Sequence, residues 1–270
     1  MEKITLFCFA ASYATALGLE LFHQFRRRPV HRLAATLFGA AGVLAHTVLL
    51  AVRRPPLVGQ YGLLLALAWV LAVFYLSGAL HHTRQAWGIF ILPVVLVLVG
   101  LAEVFRPRPG VSPLPSGPFQ DTRVLPVAHG TLLLLAAVGV CVAFVASVMY
   151  LVQAQRLKAK ALPGRGLRLP SLERLETMNR RALTLAFPLL TAGALLGIVI
   201  VVRSAEDIAA WTDPRVLSAS LLWLVFALLV YLRFGLNLRG RRVALLTIVA
   251  FALLLVTFAL PHMARGGTGP

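Results

Sequence analysis

HGTLLLLAAVGVCVAFVASVMYLVQAQRLKAK, residues 129–160, decides the fold. A histidine opens it, residues 130–155 carry no charged side chain, and Arg156, Lys158 and Lys160 close it. An α-helix rises 1.5 Å per residue, so roughly 20 apolar residues cross a hydrocarbon core of about 30 Å. Lipid offers no partner to backbone N–H and C=O groups, so a crossing segment must pair them internally as a helix.

The same pattern recurs along the whole chain. Of its 270 residues, 59% are hydrophobic and only 13% charged, against roughly 25% charged in a soluble domain, and the mean hydropathy is +0.86. Eight apolar spans can be drawn, at 4–22, 33–52, 61–79, 87–104, 127–152, 182–202, 216–234 and 243–261. The predicted fold is all-α, a polytopic membrane bundle of about eight transmembrane helices. Three regions follow: a four-helix membrane region over 1–105, a proline-rich loop over 106–126, and a second membrane domain over 127–270. The first span reads as a retained helix, because its strong positive charge follows the apolar stretch, the reverse of a cleaved signal.

A net charge of +17 would suggest nucleic acid in a soluble protein. Here the basic residues stand between apolar runs, where they orient helices and meet anionic headgroups, so the partner implied is the lipid bilayer and no nucleic acid. With the N-terminus outside, the inner segments hold 17 of the 26 Lys and Arg residues and the outer segments 9. The positive-inside rule thus puts both termini outside. Of the two long connections, the outer one carries six prolines between residues 106 and 126, and the inner one has Ser171 as an N-cap with Leu172, Leu175 and Met178 at helical spacing. That spacing predicts a short helix on the inner membrane surface that feeds the sixth span.

Cys8 and Cys141 lie inside apolar runs without CxxC spacing, so they read as small buried hydrophobes. HExxH, GxSxG and a phosphate-cradling glycine loop are all missing from the sequence. Glu20 and Glu103 lie near opposite helix ends, which gives a paired-carboxylate site little support. The histidines are more informative, because an ionisable group at membrane depth needs a partner or a ligand. His23, His31, His81 and His82 flank helices among arginines. His46 sits within the second span, where a bond to a neighbouring helix competes with a metal or proton role.

His129 and His262 stand at the outer ends of the fifth and eighth spans, level with the loop RSAEDIAAWTDPR, residues 203–215. Two facing imidazoles can bind a haem iron axially, with an aromatic covering the macrocycle and arginines meeting the propionates. Trp211 is the candidate cover, and Arg123, Arg203, Arg215 and Arg265 the candidate propionate partners. A pair of helix-end histidines is more often a pair of interfacial polar caps, and spacing alone does not establish the haem reading.

The run LPSLERLETMNRRALTLAFPLLTAGALLGI, residues 169–198, together with residues 129–160 before it, resembles the cytochrome c assembly protein superfamily. The resemblance covers about residues 125–262, and the first four spans match in number and hydrophobicity. It implies an outer tryptophan-rich haem-handling loop of the WGxxWxWDPKE kind, flanked by two haem-ligating histidines. His129 and His262 match those histidines, Asp213 and Pro214 match the DP, and Arg215 keeps the following positive charge. Thr212 falls where a tryptophan is expected, Trp211 is one place out of register, Ala209 and Ala210 replace the upstream WG, and Val216 replaces the glutamate. These departures point to the HemX and YpjD branch, where the motif is eroded.

The resemblance therefore implies a multi-pass protein of the bacterial inner (cytoplasmic) membrane. It would bind haem b through His129 and His262, with Trp211, Asp213 and Arg215 in the covering loop, and present it in support of c-type cytochrome biogenesis. The implied partners are haem and proteins of cytochrome c maturation or haem biosynthesis. Three other readings stand beside it: a HemX-like regulator of haem biosynthesis, a small-solute permease hinted at by Pro93 and Pro188, and a structural subunit of a membrane complex.

Overall fold

The computed structural model describes residues 2–25, 29–53, 59–81, 85–106, 124–160, 167–203 and 214–260. Among these residues the chain forms eight α-helices and no strand. They are α1 (Glu2–Phe25), α2 (Pro29–Arg53), α3 (Gln60–His81), α4 (Gly88–Val104), α5 (Val124–Lys158), α6 (Leu172–Arg203), α7 (Pro214–Val230) and α8 (Arg241–Ala259). A π-turn, Tyr231–Gly235, continues α7. Seven of the helices are long and apolar enough to cross a membrane, and α4, with 17 residues, is shorter and equally apolar. The protein is a multi-pass membrane protein.

Helix starts follow from the sequence. Both α2 and α7 open on a proline, Pro29 and Pro214, where the missing N–H would have had no intrahelical partner. α6 opens behind Ser171, whose Oγ accepts from the Arg174 N–H at 3.3 Å, the N-cap read from the sequence. The segment after Ser171 is not a separate surface helix, however. Residues 172–203 form one continuous helix, because no glycine or proline interrupts them before Pro188 and because Leu175, Asn179 and Ala182 are buried against neighbouring helices instead of facing headgroups.

Helices pack in two groups. α1 lies against α2 and α4, and α3 against α2 and α4; α5 lies against α6 and α8, and α7 against α6 and α8. α5 also meets α3 and α4 and so joins the groups. Apolar burial drives little association in lipid, so close approach of small residues and interhelical hydrogen bonds decide the packing. α5 and α6 run antiparallel on such residues: a Cβ added at Gly139 would stand 2.7 Å from the Ala186 Cβ and 3.2 Å from the Ala182 carbonyl. Asn179 of α6 fastens three helices, its Nδ2 donating to the Ala143 carbonyl (3.2 Å) and Ser147 Oγ (2.9 Å) on α5 and to Thr247 Oγ1 (3.3 Å) on α8. Phe144 and Phe251 stack between α5 and α8 with centroids 3.9 Å apart.

This antiparallel order gives the bundle two distinct ends. One end carries the start of α5 with His129, the end of α6, the start of α3 and the end of α8. The opposite end carries the start of α6 and the connection from α7 to α8, with Arg180, Arg233 and Arg239.

Candidate functional site

His129 lies in the second turn of α5, partly buried. Its Nδ1 is 2.7 Å from the backbone carbonyl of Gly193 on α6. A carbonyl only accepts, so Nδ1 carries a proton, and in the neutral ring the lone pair is on Nε2. The ring lies over Gly197, one helical turn further along: a Cβ there would stand 2.9 Å from Cε1 and 3.3 Å from Nδ1. Two glycines four residues apart on α6 thus form a seat, one through its carbonyl and one through its missing side chain. Metal-ligating histidines are commonly held this way, with one nitrogen bonded to an orienting acceptor and the other presented to the metal. The donor chemistry of His129 fits an axial haem ligand.

Gly193, Gly197 and Gln60 escaped the sequence reading. The two glycines do leave a signal, the small-xxx-small spacing of TAGALLGIV that marks close helix contact, but nothing in it names His129 as the neighbour. Gln60, the first residue of α3, donates from Nε2 to the carbonyls of Phe258 (3.1 Å) and Leu260 (2.8 Å). These are among the last carbonyls of α8, which lack intrahelical partners, and Gln60 fixes the end of that helix from the other helix group.

The remaining predicted residues fall as follows. Trp211, Asp213 and His262 lie outside the described residues, as do Arg123 and Arg265. Arg215 is the second residue of α7, and Arg203 is the last of α6, so the two bracket the 204–213 segment. Among the described residues no three His, Cys, Asp or Glu side chains converge as a metal site.

His46 is placed quite differently. It is fully buried in α2, stacked on Phe9 of α1 with centroids 4.3 Å apart and planes 9° from parallel. The Tyr13 hydroxyl is 3.4 Å from Nδ1, the bond to a neighbouring helix expected from the sequence, and Nε2 is buried without a hydrogen-bond partner among the described residues.

Comparison with known proteins agrees with this organisation. The family model described as Cytochrome C assembly protein matches residues 57–264. It therefore takes in α3 and α4, further toward the N-terminus than the resemblance over 125–262. Protein HemX of Brevibacillus brevis is 29% identical over 264 residues, covering 94% of this chain and 92% of the relative. Cytochrome c biogenesis protein CcsA of Synechococcus sp. (strain JA-2-3B'a(2-13)) is 26% identical over 313 residues, covering 92% of this chain and 88% of the relative. Protein HemX of Bacillus subtilis (strain 168) is 28% identical over 193 residues, covering 72% and 68% respectively. No solved structure matches. The chain belongs to the cytochrome c assembly protein family.

Proposed function

We propose that this protein binds haem b at the His129 end of the bundle and presents it to partners in c-type cytochrome biogenesis. The observation that carries the reading is the seat of His129: Nδ1 on the Gly193 carbonyl, the ring over Gly197, and Nε2 left as a ligand. His262, two residues along the sequence from Leu260, whose carbonyl accepts from Gln60, is the second proposed ligand. The segment 203–215, with Trp211, Asp213 and Arg215, would lie over the macrocycle edge, and Arg203 and Arg215 would pair with propionates. When bound, haem supplies the vinyl groups to which the CxxCH thiols of a partner cytochrome add. This chain's own work is to hold the iron, orient the ring and keep the vinyl edge accessible.

By this reading the His129 end faces outward from a bacterial cytoplasmic membrane and the arginine-rich end faces inward, in accord with the 17 to 9 distribution of basic residues. A second reading has a specific support: the similarity to HemX proteins runs over nearly the full chain, and the tryptophan motif is eroded at Thr212 and Ala209–Ala210. In that case the chain is a membrane regulator of haem biosynthesis acting through its basic end, without haem transfer.

Absorption spectra of the protein purified from haem-replete membranes decide between them. The expected result is a low-spin haem spectrum in the wild type, weakened in His129→Ala and in His262→Ala. Haem-free wild-type protein, or spectra indifferent to both substitutions, would overturn haem presentation and leave the regulator.

A further inference from the structure

At the end of the bundle opposite His129, a cavity of about 200 Å³ opens between the start of α6 and the connection from α7 to α8. It is lined by Glu173, Glu176 and Arg180 of α6, Arg233 and Phe234 of the π-turn, and Arg239. One water takes a share of roughly 30 Å³, so the space accommodates a polar headgroup together with water. π-turns widen a helix locally and are found often at functional sites. This one places Arg233, 7% exposed, in the wall.

The wall is built, with its charges unequally used. Glu176 Oε1 accepts from the Gly240 N–H at 2.8 Å and from Arg233 Nη1 at 3.5 Å, and its backbone carbonyl accepts from Arg233 Nη2 at 3.5 Å. Gly240 has φ +80° and Asn237 has φ +50°, so the connection turns sharply through left-handed backbone and is pinned by that carboxylate. Glu176 and Arg233 therefore satisfy one another. Arg180 and Arg239 face the cavity without a hydrogen-bond or ion-pair partner among the described residues, and Glu173 is the one acid left to oppose them.

We propose that this cavity binds the phosphate of a membrane phospholipid, with Arg180 and Arg239 as its direct ligands and the Arg233–Glu176 pair as the floor. Guanidinium groups pair with phosphate oxygens in a fork geometry that suits a tetrahedral oxyanion. A lipid is favoured over free phosphate by the flank of the cavity. Tyr231, Phe234 and Leu236 are 60, 46 and 54% exposed, and the span 216–235 is apolar enough to lie in the bilayer. Acyl chains would run along these side chains while the phosphate enters at headgroup level. The site is independent of the haem reading, since it lies at the other end of the bundle.

The test uses the full chain, delipidated in detergent, in native mass spectrometry and thermal melting. Its probes are phosphatidylglycerol, diacylglycerol and inorganic phosphate. Phosphatidylglycerol should remain bound and raise Tm, whereas diacylglycerol and inorganic phosphate should do neither. Arg180→Gln combined with Arg239→Gln should cut lipid retention at least about fivefold, because two charge-assisted bonds are lost, while Tm without lipid stays unchanged. Arg241→Gln combined with Arg242→Gln removes the same charge nearby, off the cavity wall, and should retain lipid as the wild type does. Equal loss in both pairs would reduce the effect to general surface charge and overturn the site. Retention by the Arg180 and Arg239 pair would overturn it too, and inorganic phosphate binding as well as lipid would overturn the lipid source. If that pair lowers Tm without lipid, the single variants supply the test, each with an intermediate loss expected.

Discussion

His129 and His46 both stand in apolar helices, and their surroundings leave different atoms free. His129 has Nδ1 committed to the Gly193 carbonyl at 2.7 Å and its ring seated on Gly197. His46 is stacked flat on Phe9, with Tyr13 at 3.4 Å from Nδ1 and Nε2 sealed among side chains. Membrane depth alone therefore does not mark a ligand. A bond to a carbonyl does not mark one either, since His81 Nδ1 stands 2.9 Å from the Ser77 carbonyl of its own helix; what sets His129 apart is that its carbonyl belongs to another helix, of which a second glycine seats the ring.

The comparison breaks most directly at Gly197. Gly197→Leu puts a Cβ 2.9 Å from Cε1 of His129, so the ring must leave its seat and the bond to Gly193 with it. The haem content of the purified variant should fall roughly 10- to 100-fold, the usual cost of losing a partner that orients a ligand. Asn179 and the Gly139–Ala186 contact still hold α5 to α6, so the variant should accumulate in membranes as the wild type does. Undiminished haem in a well-folded Gly197→Leu protein would show that the seat is mere helix packing.

Gln60→Leu acts at one remove and should have a smaller effect. It deletes two hydrogen bonds to the end of α8, each worth about 0.5–1.5 kcal/mol, and so loosens the residues that lead into His262. Haem retention should fall about threefold to tenfold. In a His262→Ala background the same substitution should change nothing further, since both act through one ligand. An additive loss in that background would assign Gln60 a purely structural role.

How much of this was legible beforehand depended on whether the signal was local. Eight helices followed from apolar run length, and the Ser171 cap from residue type ahead of a periodic stretch. The boundary of α6 did not follow: residues 172–181 alternate charge with leucine as a surface helix would, and their burial rests on Asn179 finding α5 and α8 across sequence separations of 32 to 68 residues. His129 was visible as a polar residue at a helix mouth. Its partner is a backbone carbonyl, which no side-chain pattern encodes, and the role of Gly197 lies in an atom it lacks. Gln60 carries no signal of its role in the sequence, because the carbonyls it serves are at the end of the last helix.

Asn179 sharpens the comparison from the packing side. Asn179→Leu removes its bonds to the Ala143 carbonyl, Ser147 and Thr247, but also removes Oδ1, which is buried without a partner among the described residues. Ser147 and Thr247 keep their own bonds to the Ala143 and Val243 carbonyls. The net cost should be modest, about 1 kcal/mol in thermal unfolding, in the range of interhelical polar contacts in membranes. The haem spectrum should not move, because the contact lies far down α5 from His129. A spectral change would mean that the site depends on the whole α5–α6 seam, and the seat at Gly193 and Gly197 would then not suffice to orient the ligand.

The smallest effect belongs to His46 and Tyr13 replaced together, and it separates a structural histidine from a functional one. His46→Leu alone strands the Tyr13 hydroxyl in a buried position, which costs about 1–3 kcal/mol. Combining it with Tyr13→Phe removes both partners of the contact together with the unpartnered Nε2, and the double variant should recover to within about 1 kcal/mol of the wild type in thermal unfolding. Its haem spectrum should equal that of the wild type. A double variant that melts normally but loses haem would give His46 a ligand role despite its enclosure. The distinction drawn between His129 and His46 would then fail in this fold.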